Sequence, residues 1–556
     1  VSSYAIGVDF GTESGRALLV DCADGREVAS AVYPYRNGVI TAHLPAPDED
    51  VELELDWALQ DPDDYLQTFK ETIPALLAES GVEPSDVVGI GIDFTSCTML
   101  PTLADGTPLC ALPELRREPH AWVKLWKHHA AQPEADLINE VAAERGETWL
   151  PRYGGRISSE WFFAKSLQIL REAPEVYARA DRLLEAADWV VWRLTGIETR
   201  STCTAGYKAM WSKATGFPST EYFAALDPAF VNVVDEKMSR TLSPLGGLAG
   251  GLSPEASAWT GLPVGTPVAV ANVDAHASVP AVGVTGTGTL VMIMGTSICH
   301  VLLGATPAAV EGMCGVVEDG VVPGLYGFEA GQSAVGDIFA WFVETCAPPE
   351  IHELARRGET TVHEILAGQA AQLRPGESGV LALDWWNGNR SILVDADLSG
   401  LLVGLTLATT PAEIYRALIE ATAFGTRVIV EAFESAGVAV DAIVACGGLP
   451  QRNPVLMQIY ADVCGREVAV AASTQAPALG AAMHGAVAAG SARGGFDSIA
   501  DAAASLAPAS STSYSPSSEA AATYDRLYAE YLRLHDLFGR GAEPVMRTLK
   551  TLQSSA

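Results

Sequence analysis

The 556-residue chain is short of positive charge: 35 Lys and Arg stand against 68 Asp and Glu, a formal net charge of −33. No basic excess exists to neutralise a polyphosphate backbone or an anionic lipid surface, which argues against nucleic acid and anionic membranes as partners. A small phosphate ligand is not excluded, because backbone N–H groups hold one locally. Metal-type cysteine spacing is missing too. The nine cysteines are scattered, odd in number, and form no CxxC or Cys/His pattern. Most lie in apolar runs, where free thiols act as small hydrophobes, and their usage points to a reducing compartment. Long apolar runs are also absent. Residues 275–310 carry no Asp, Glu, Lys or Arg, but Gly, Thr and Pro280 divide them into short runs that suit buried strands better than a membrane span. The first strand-like run begins at Tyr4 with nothing of signal-peptide type before it, so a cytoplasmic location is expected. Neither GxxxxGK[ST] nor a helix-opening GxGxxG occurs.

What is present is apolar residues at 48 %, enough for large cores, over a length that exceeds one core. At least two domains are expected. "AIGVDF" and "ALLVD" are short strands around Gly11 and Gly15, and "ADG" (Ala23–Gly25) turns the chain into a third. Residues 62–81 place Leu66, Phe69, Ile73, Leu76 and Leu77 on one helical face, with Gly81 as the stop. "VVGIGIDFT" then reads as a buried strand. The class is mixed α/β. Further on, "AWVKLWKHHAAQPEADLINEVAA" and "PEVYARADRLLEAADWVVWRLTG" have helical patterns. Thr410, Pro411 and Glu413 form a capping box, and Asn453 with Pro454 opens another helix after a Gly-Gly turn. Residues 506–518 read as a Ser/Pro linker before a last amphipathic helix.

One device occurs twice. A strand leads into Gly11-Thr12 and out into a second strand; "VMIMGTSICHV" does the same around Gly295-Thr296. This suggests two related halves, divided at 260/261, near where the second device begins. Four glycine-bearing loops follow apolar strands: 11–15, 295–297, 330–336 and 447–448. One such loop is first a turn; four in one chain favour nucleotide phosphate binding through backbone nests.

Several charged residues stand out. Asp9 ends the first strand just before Gly11-Thr12, either as a Mg²⁺ ligand beside phosphate or as a turn cap. Asp274 lies in the nearly uncharged "AVANVDAHASVP", where a carboxylate serves as a general base or as a buried helix cap. Lys208 in "TAGYKAMW" and Glu329 in "YGFEAGQS" suit hydrogen bonds to a polyol and equally suit structural ion pairs. Asp93, Thr95 and Ser96 close the "GIGIDF" strand, where ligands of open α/β sheets lie. His128 and His129 are adjacent rather than four apart, which reads as surface or sugar-facing rather than metal-binding.

"IGVDFGTESGRALLVD", "MGTSICHV" and "ACGGLPQRNPVLMQIYADVCGREV" resemble the phosphate-1, phosphate-2 and adenosine segments of the FGGY carbohydrate kinases, and the resemblance runs from about residue 4 to about residue 540. It implies two ribonuclease-H-like domains of the actin/hexokinase type around a central cleft: a sugar-binding domain over 1–260 and an ATP-binding domain over 261–556. "GIDFTSCTMLPTLADGTPLC", "LWKHHAAQPEADLINE" and "LYAEYLRLHDLFG" are most similar to members of L-arabinose catabolism. The activity implied is transfer of the γ-phosphoryl group of ATP, with Mg²⁺, to the 5-hydroxyl of L-ribulose, and the assembly implied is a homodimer. On this resemblance Asp274 is the general base and Asp9 helps hold Mg²⁺. Gly11, Thr12, Gly295, Thr296, Gly336, Gly448 and Asn453 line the ATP site. Ser96, Lys208, Asp274 and Glu329 contact the sugar. Glu13 and Arg452 depart from the residues common in relatives. The alternatives are a sister kinase for D-ribulose, D-xylulose or ribitol, and a catalytically silent sugar sensor of the same fold.

Overall fold

The computed structural model describes residues 2–510, 512–541 and 543–554. In it, two sheets repeat one wiring. The first begins with β1 (Tyr4–Phe10), β2 (Ser14–Asp21) and β3 (Glu27–Pro34), an antiparallel meander joined by tight turns. Helix α1 (Pro62–Ser80) follows; the Asp61 side chain caps it, and Gly81 ends it in the left-handed region at φ 67°. Phe69, Ile73 and Leu76 are buried on its inner face, with Leu66 and Leu77 partly buried beside them, as the 3.6-residue spacing predicts. The chain then enters β4 (Val87–Phe94), parallel to β1. After a long excursion come α2 (Thr202–Lys208), β5 (Leu248–Gly251), β6 (Pro267–Ala269), β7 (Asn272–Val273) and α3 (Asp274–Ala281). The strand order is β3-β2-β1-β4-β6-β5, with β7 also paired to β4.

The second sheet contains β8 (Thr289–Met294), β9 (Ile298–Gly304), β10 (Gly315–Glu318) and β11 (Tyr326–Gln332), followed by α4 (Gly336–Trp341). Then come α5 (Pro411–Ser435), β12 (Ala442–Cys446), α6 (Gly448–Arg452), α7 (Pro454–Cys464), β13 (Val468–Val470), α8 (Ala476–Ala489), β14 (Thr512–Tyr514) and α9 (Ser518–His535). Its order is β10-β11-β9-β8-β12-β13-β14. In both sheets a central strand has an antiparallel neighbour on one side and a parallel one on the other, so β1, β2 and β4 correspond to β8, β9 and β12. The Gly-Thr repeat in the sequence is the hairpin of this repeat.

The first sheet takes in Pro267–Ala269 and Asn272–Val273, and the second begins at Thr289. Four expectations are corrected. The pattern before residue 132 is not helix. There Lys165 Nζ donates to Leu125 O at 2.6 Å and His128 Nδ1 accepts from Ala58 N at 3.3 Å, tertiary bonds that replace helical ones. His128 is fully buried, with Nε2 2.9 Å from Gln168 Oε1, and is not a surface residue. Residues 174–195 form two helices around a strand, Arg182–Glu185, because that strand pairs with Met99–Thr102. The 506–518 linker contains β14, which adds an edge to the second sheet; its residue 511 lies outside the described residues.

Helix α8 packs backbone to backbone on its neighbours. It belongs to the second half of the chain but lies on the first sheet. A methyl group on Gly7 would fall 1.8 Å from Ala478 O, and one on Gly91 would fall 1.7 Å from Ala481 O. α3 meets α8 as tightly, with Gly480 against Ala277 O at 1.8 Å by the same measure. Only glycine permits these approaches.

Candidate active site

The parallel strands of the first sheet end in polar residues that lie in register. Asp9 on β1 is opposite Asp93 on β4, which is opposite Asn272 on β7. Helix α3 starts one residue after β7, so Asp274 opens it beside this row. Asp274 Oδ1 accepts from Ala275 N at 2.6 Å. Burial pushes its carboxyl up to about 7, with Asp9 and Glu329 adding to the rise and Lys208 opposing it. Asp9 is buried, and Arg16 Nε stands 3.2 Å from its Oδ2. Burial raises Asp9 and Arg16 opposes the rise. Asp93, fully buried beside Asp9, is held well above the usual carboxylate range by desolvation and by that neighbour's charge.

Thr12 sits in the β1–β2 turn, where Gly11 N donates to Ser14 O at 3.0 Å. Two side chains fix it: Trp126 Nε1 donates to its hydroxyl at 3.1 Å and Gln60 Nε2 to its carbonyl at 2.7 Å. The second hairpin is held by backbone. Val335 N donates to Thr296 O at 2.8 Å and Gly336 N to Gly295 O at 3.2 Å, so α4 begins against the turn. Gly447, at φ 101°, comes as close on the other side; a methyl there would lie 2.3 Å from Met294 O. Three glycine loops of the second sheet therefore converge, with Gly295 and Thr296 exposed at their centre. Gly448 starts α6, and Arg452 Nε donates back to Gly448 O at 3.0 Å. Asn453 Oδ1 caps α7 by accepting from Leu456 N.

Lys208 and Glu329, 121 residues apart, are brought together: Nζ to Oε1 is 2.6 Å, with both residues buried. Lys208 holds the Glu329 carboxyl below its ordinary range against desolvation. Lys208 Nζ also lies 5.5 Å from the centre of the Trp161 ring. Ser96 adjoins Cys97, which takes φ 61° while Lys165 Nζ binds its carbonyl at 2.7 Å. The sequence reading missed His276. It is fully buried, with Nε2 3.0 Å from Glu329 Oε2 and Nδ1 3.3 Å from Cys203 Sγ. Its signal was its place two residues after Asp274 on the same helix.

A Lys–Glu pair and a carboxylate of raised pKa thus lie between the two sheets, each of which presents a Gly-Thr hairpin. Among the described residues no cluster of three or more His, Cys, Asp or Glu forms a protein-only metal cage. The Asp9 and Asp93 donors are oxygens, which suit a hard divalent cation that keeps water and phosphate in its shell. No helix among the described residues is long and apolar enough to cross a membrane, and all nine cysteines are free.

The chain is similar to known proteins over its whole length. Residues 4–281 match the profile of the N-terminal domain, and residues 290–489 that of the C-terminal domain, of the FGGY family of carbohydrate kinases. The chain is 58 % identical over 553 residues to a ribulokinase of Geobacillus thermodenitrificans, covering 100 % of this chain and 98 % of that one. It is 53 % identical to a ribulokinase of Mycolicibacterium smegmatis, covering 100 % and 97 %. Among solved structures it resembles a xylulose kinase from Rhodospirillum rubrum, with TM-score 0.77, 25 % identity, and coverage of 96 % and 98 %. A ligand-bound xylulose kinase from Lactobacillus acidophilus gives TM-score 0.78 at 19 % identity, with coverage of 96 % and 98 %.

Proposed function

The chain belongs to the FGGY family of carbohydrate kinases and is an ATP-dependent carbohydrate kinase; from that premise we propose that its substrate is L-ribulose, phosphorylated on the 5-hydroxyl in L-arabinose catabolism. Full-length similarity to ribulokinases supports the choice of sugar. The observation that carries the mechanism is Asp274, a carboxyl raised to about 7 at the start of α3, between the strand ends of the first sheet and the Lys208–Glu329 pair. A base with its pKa near the working pH has both the charge and the basicity to take the proton of a hydroxyl during transfer.

Lys208, oriented by Glu329, presents its remaining N–H groups to sugar hydroxyls, with Ser96 and Glu329 completing that side. Gly11, Thr12, Gly295, Thr296, Gly336, Gly448 and Asn453 line the ATP side. Asp9 would hold Mg²⁺, with Asp93 next to it. When bound, the ion neutralises charge on the transferring phosphates. The two halves exclude water around the aligned hydroxyl, which protects ATP from hydrolysis. The same reading places the enzyme in the cytoplasm as a homodimer.

Its test is ADP release with ATP and Mg²⁺ over L-ribulose, D-ribulose, D-xylulose, ribitol and glycerol. Highest kcat/KM with L-ribulose is expected; a clear preference for another polyol overturns the substrate. Asp274→Asn is expected to cut kcat by about 10²–10⁴-fold while the sugar still binds by calorimetry, and full turnover in that variant removes the base.

A further inference from the structure

At the sugar end of the cleft a cation crosses from the second half of the chain to the first. Arg390 Nη2 donates to Glu160 Oε1 at 3.3 Å, and its guanidinium lies 5.9 Å from the centre of the Trp126 ring, within cation–π range. The side chain gets there by lying over Gly331, where a methyl group would meet Arg390 Cδ at 2.8 Å. Gly331 is two residues beyond Glu329 on β11, so both face the same side of the sheet. Arg390 therefore runs along the wall that carries Glu329.

Its partners on the first half are tied to the rest of the site. Glu160 precedes Trp161, the ring beneath Lys208. His129 Nε2 is 3.8 Å from Glu160 Oε1, a second cation-capable group on the same carboxylate. Arg390, with His129 adding, holds the Glu160 carboxyl below its ordinary range despite burial. Trp126 carries the contact onward, since its indole N–H binds the Thr12 hydroxyl in the phosphate hairpin. One guanidinium thus touches the wall of Glu329, the neighbour of Trp161 and the support of Thr12.

We propose that Arg390 is a positioning residue for the sugar: from the second half it clasps Glu160 and Trp126 of the first, closes the sugar end of the cleft, and holds Thr12 in register with the bound hydroxyl. The inference rests on the sugar-kinase reading above. A largely buried ion pair with only a structural role acts on stability and not on coupling. A clasp governs sugar affinity and the loss of ATP to water.

The test uses the full-length enzyme, the sugar it prefers in the panel, and paired assays of ADP release and sugar-phosphate formation. Arg390→Met is expected to raise the sugar KM about tenfold, leave the ATP KM within about twofold, and raise ADP released per sugar phosphate at least about threefold, the scale of one lost charged hydrogen bond. Glu160→Gln is expected to do the same. The double variant is expected to be no worse than the poorer single one, as for residues acting as one contact. Arg390→Lys is expected to fall between wild type and Arg390→Met. Unchanged sugar KM and unchanged coupling in Arg390→Met and Glu160→Gln, with only the melting temperature lowered, overturns the clasp and leaves the kinase reading standing. Additive losses, or a rise in the ATP KM alone, also overturn it. A wild-type enzyme that phosphorylates none of the panel overturns both readings.

Discussion

The two hairpins stand at the same place in two sheets of the same wiring, yet they are built from different materials. Phe10-Gly11-Thr12 matches Met294-Gly295-Thr296, which puts Asp9 where the second sheet has Ile293. Around the first turn the contacts are side-chain contacts: Arg16 on Asp9, and Trp126 and Gln60 on Thr12. Around the second they are backbone contacts from residues 335–337, with Gly447 pressed against Met294. Duplicated scaffolding has thus separated two tasks. On the proposed reading, one copy carries the acid that would meet a cation, and the other would offer N–H groups and an uncharged surface to phosphate.

The comparison breaks most severely if the first hairpin is given the chemistry of the second. Asp9→Ile is expected to lower kcat by about 10²–10³-fold, the usual cost of removing one electrostatic group from a transition state. Steady-state assays over a Mg²⁺ titration check it, and the sugar KM should move little. The second hairpin is broken through backbone. In Gly336→Ala the new methyl falls 2.5 Å from Gly295 O, so the turn must shift; the ATP KM is expected to rise about tenfold with the sugar KM unchanged, a scale of roughly 1–2 kcal/mol.

A pH profile sharpens the same contrast. Asp274 accepts a proton only when charged, so kcat/KM for the sugar is expected to rise with pH about a midpoint near 7 and then level off. Asp9 adds to the rise of that carboxyl, so Asp9→Asn is expected to move the midpoint down in pH. Thr296→Val, on the uncharged hairpin, is expected to leave it in place. The smallest effect belongs to Trp126→Phe, which keeps the ring but loses the bond to Thr12. About a fivefold loss of kcat/KM is expected from one hydrogen bond of about 1 kcal/mol.

Much of this was readable before any coordinates, and the boundary has a physical cause. Local chemistry leaves local traces. The Gly81 stop, the Thr410–Glu413 capping box and the two Gly-Thr turns each satisfy backbone groups within a few residues, and all are present. Asp274 drew notice because charge is scarce around it. Lys208 and Glu329 were each legible as isolated charges, but their mutual pairing was not, since a contact between residues 121 apart has no periodic trace. The same holds for Trp126 on Thr12 and for Arg390 on Glu160. Helical patterning misled around residue 125 because bonds to Lys165 and Ala58 outcompeted local propensity there.

The glycine contacts of α8 also bear on how the chain is made. The strip formed by Gly7, Gly89 and Gly91 is completed only by residues 476–489. When residue 281 leaves the ribosome, about two hundred residues remain to be added before that cover exists, on the order of 10–40 s at ~5–20 residues per second. During that interval the first sheet has one finished face and one bare one. The N-terminal half is completed by a helix made long after it emerges, so a nascent chain stalled before residue 476 is expected to expose that glycine strip and to bind chaperones.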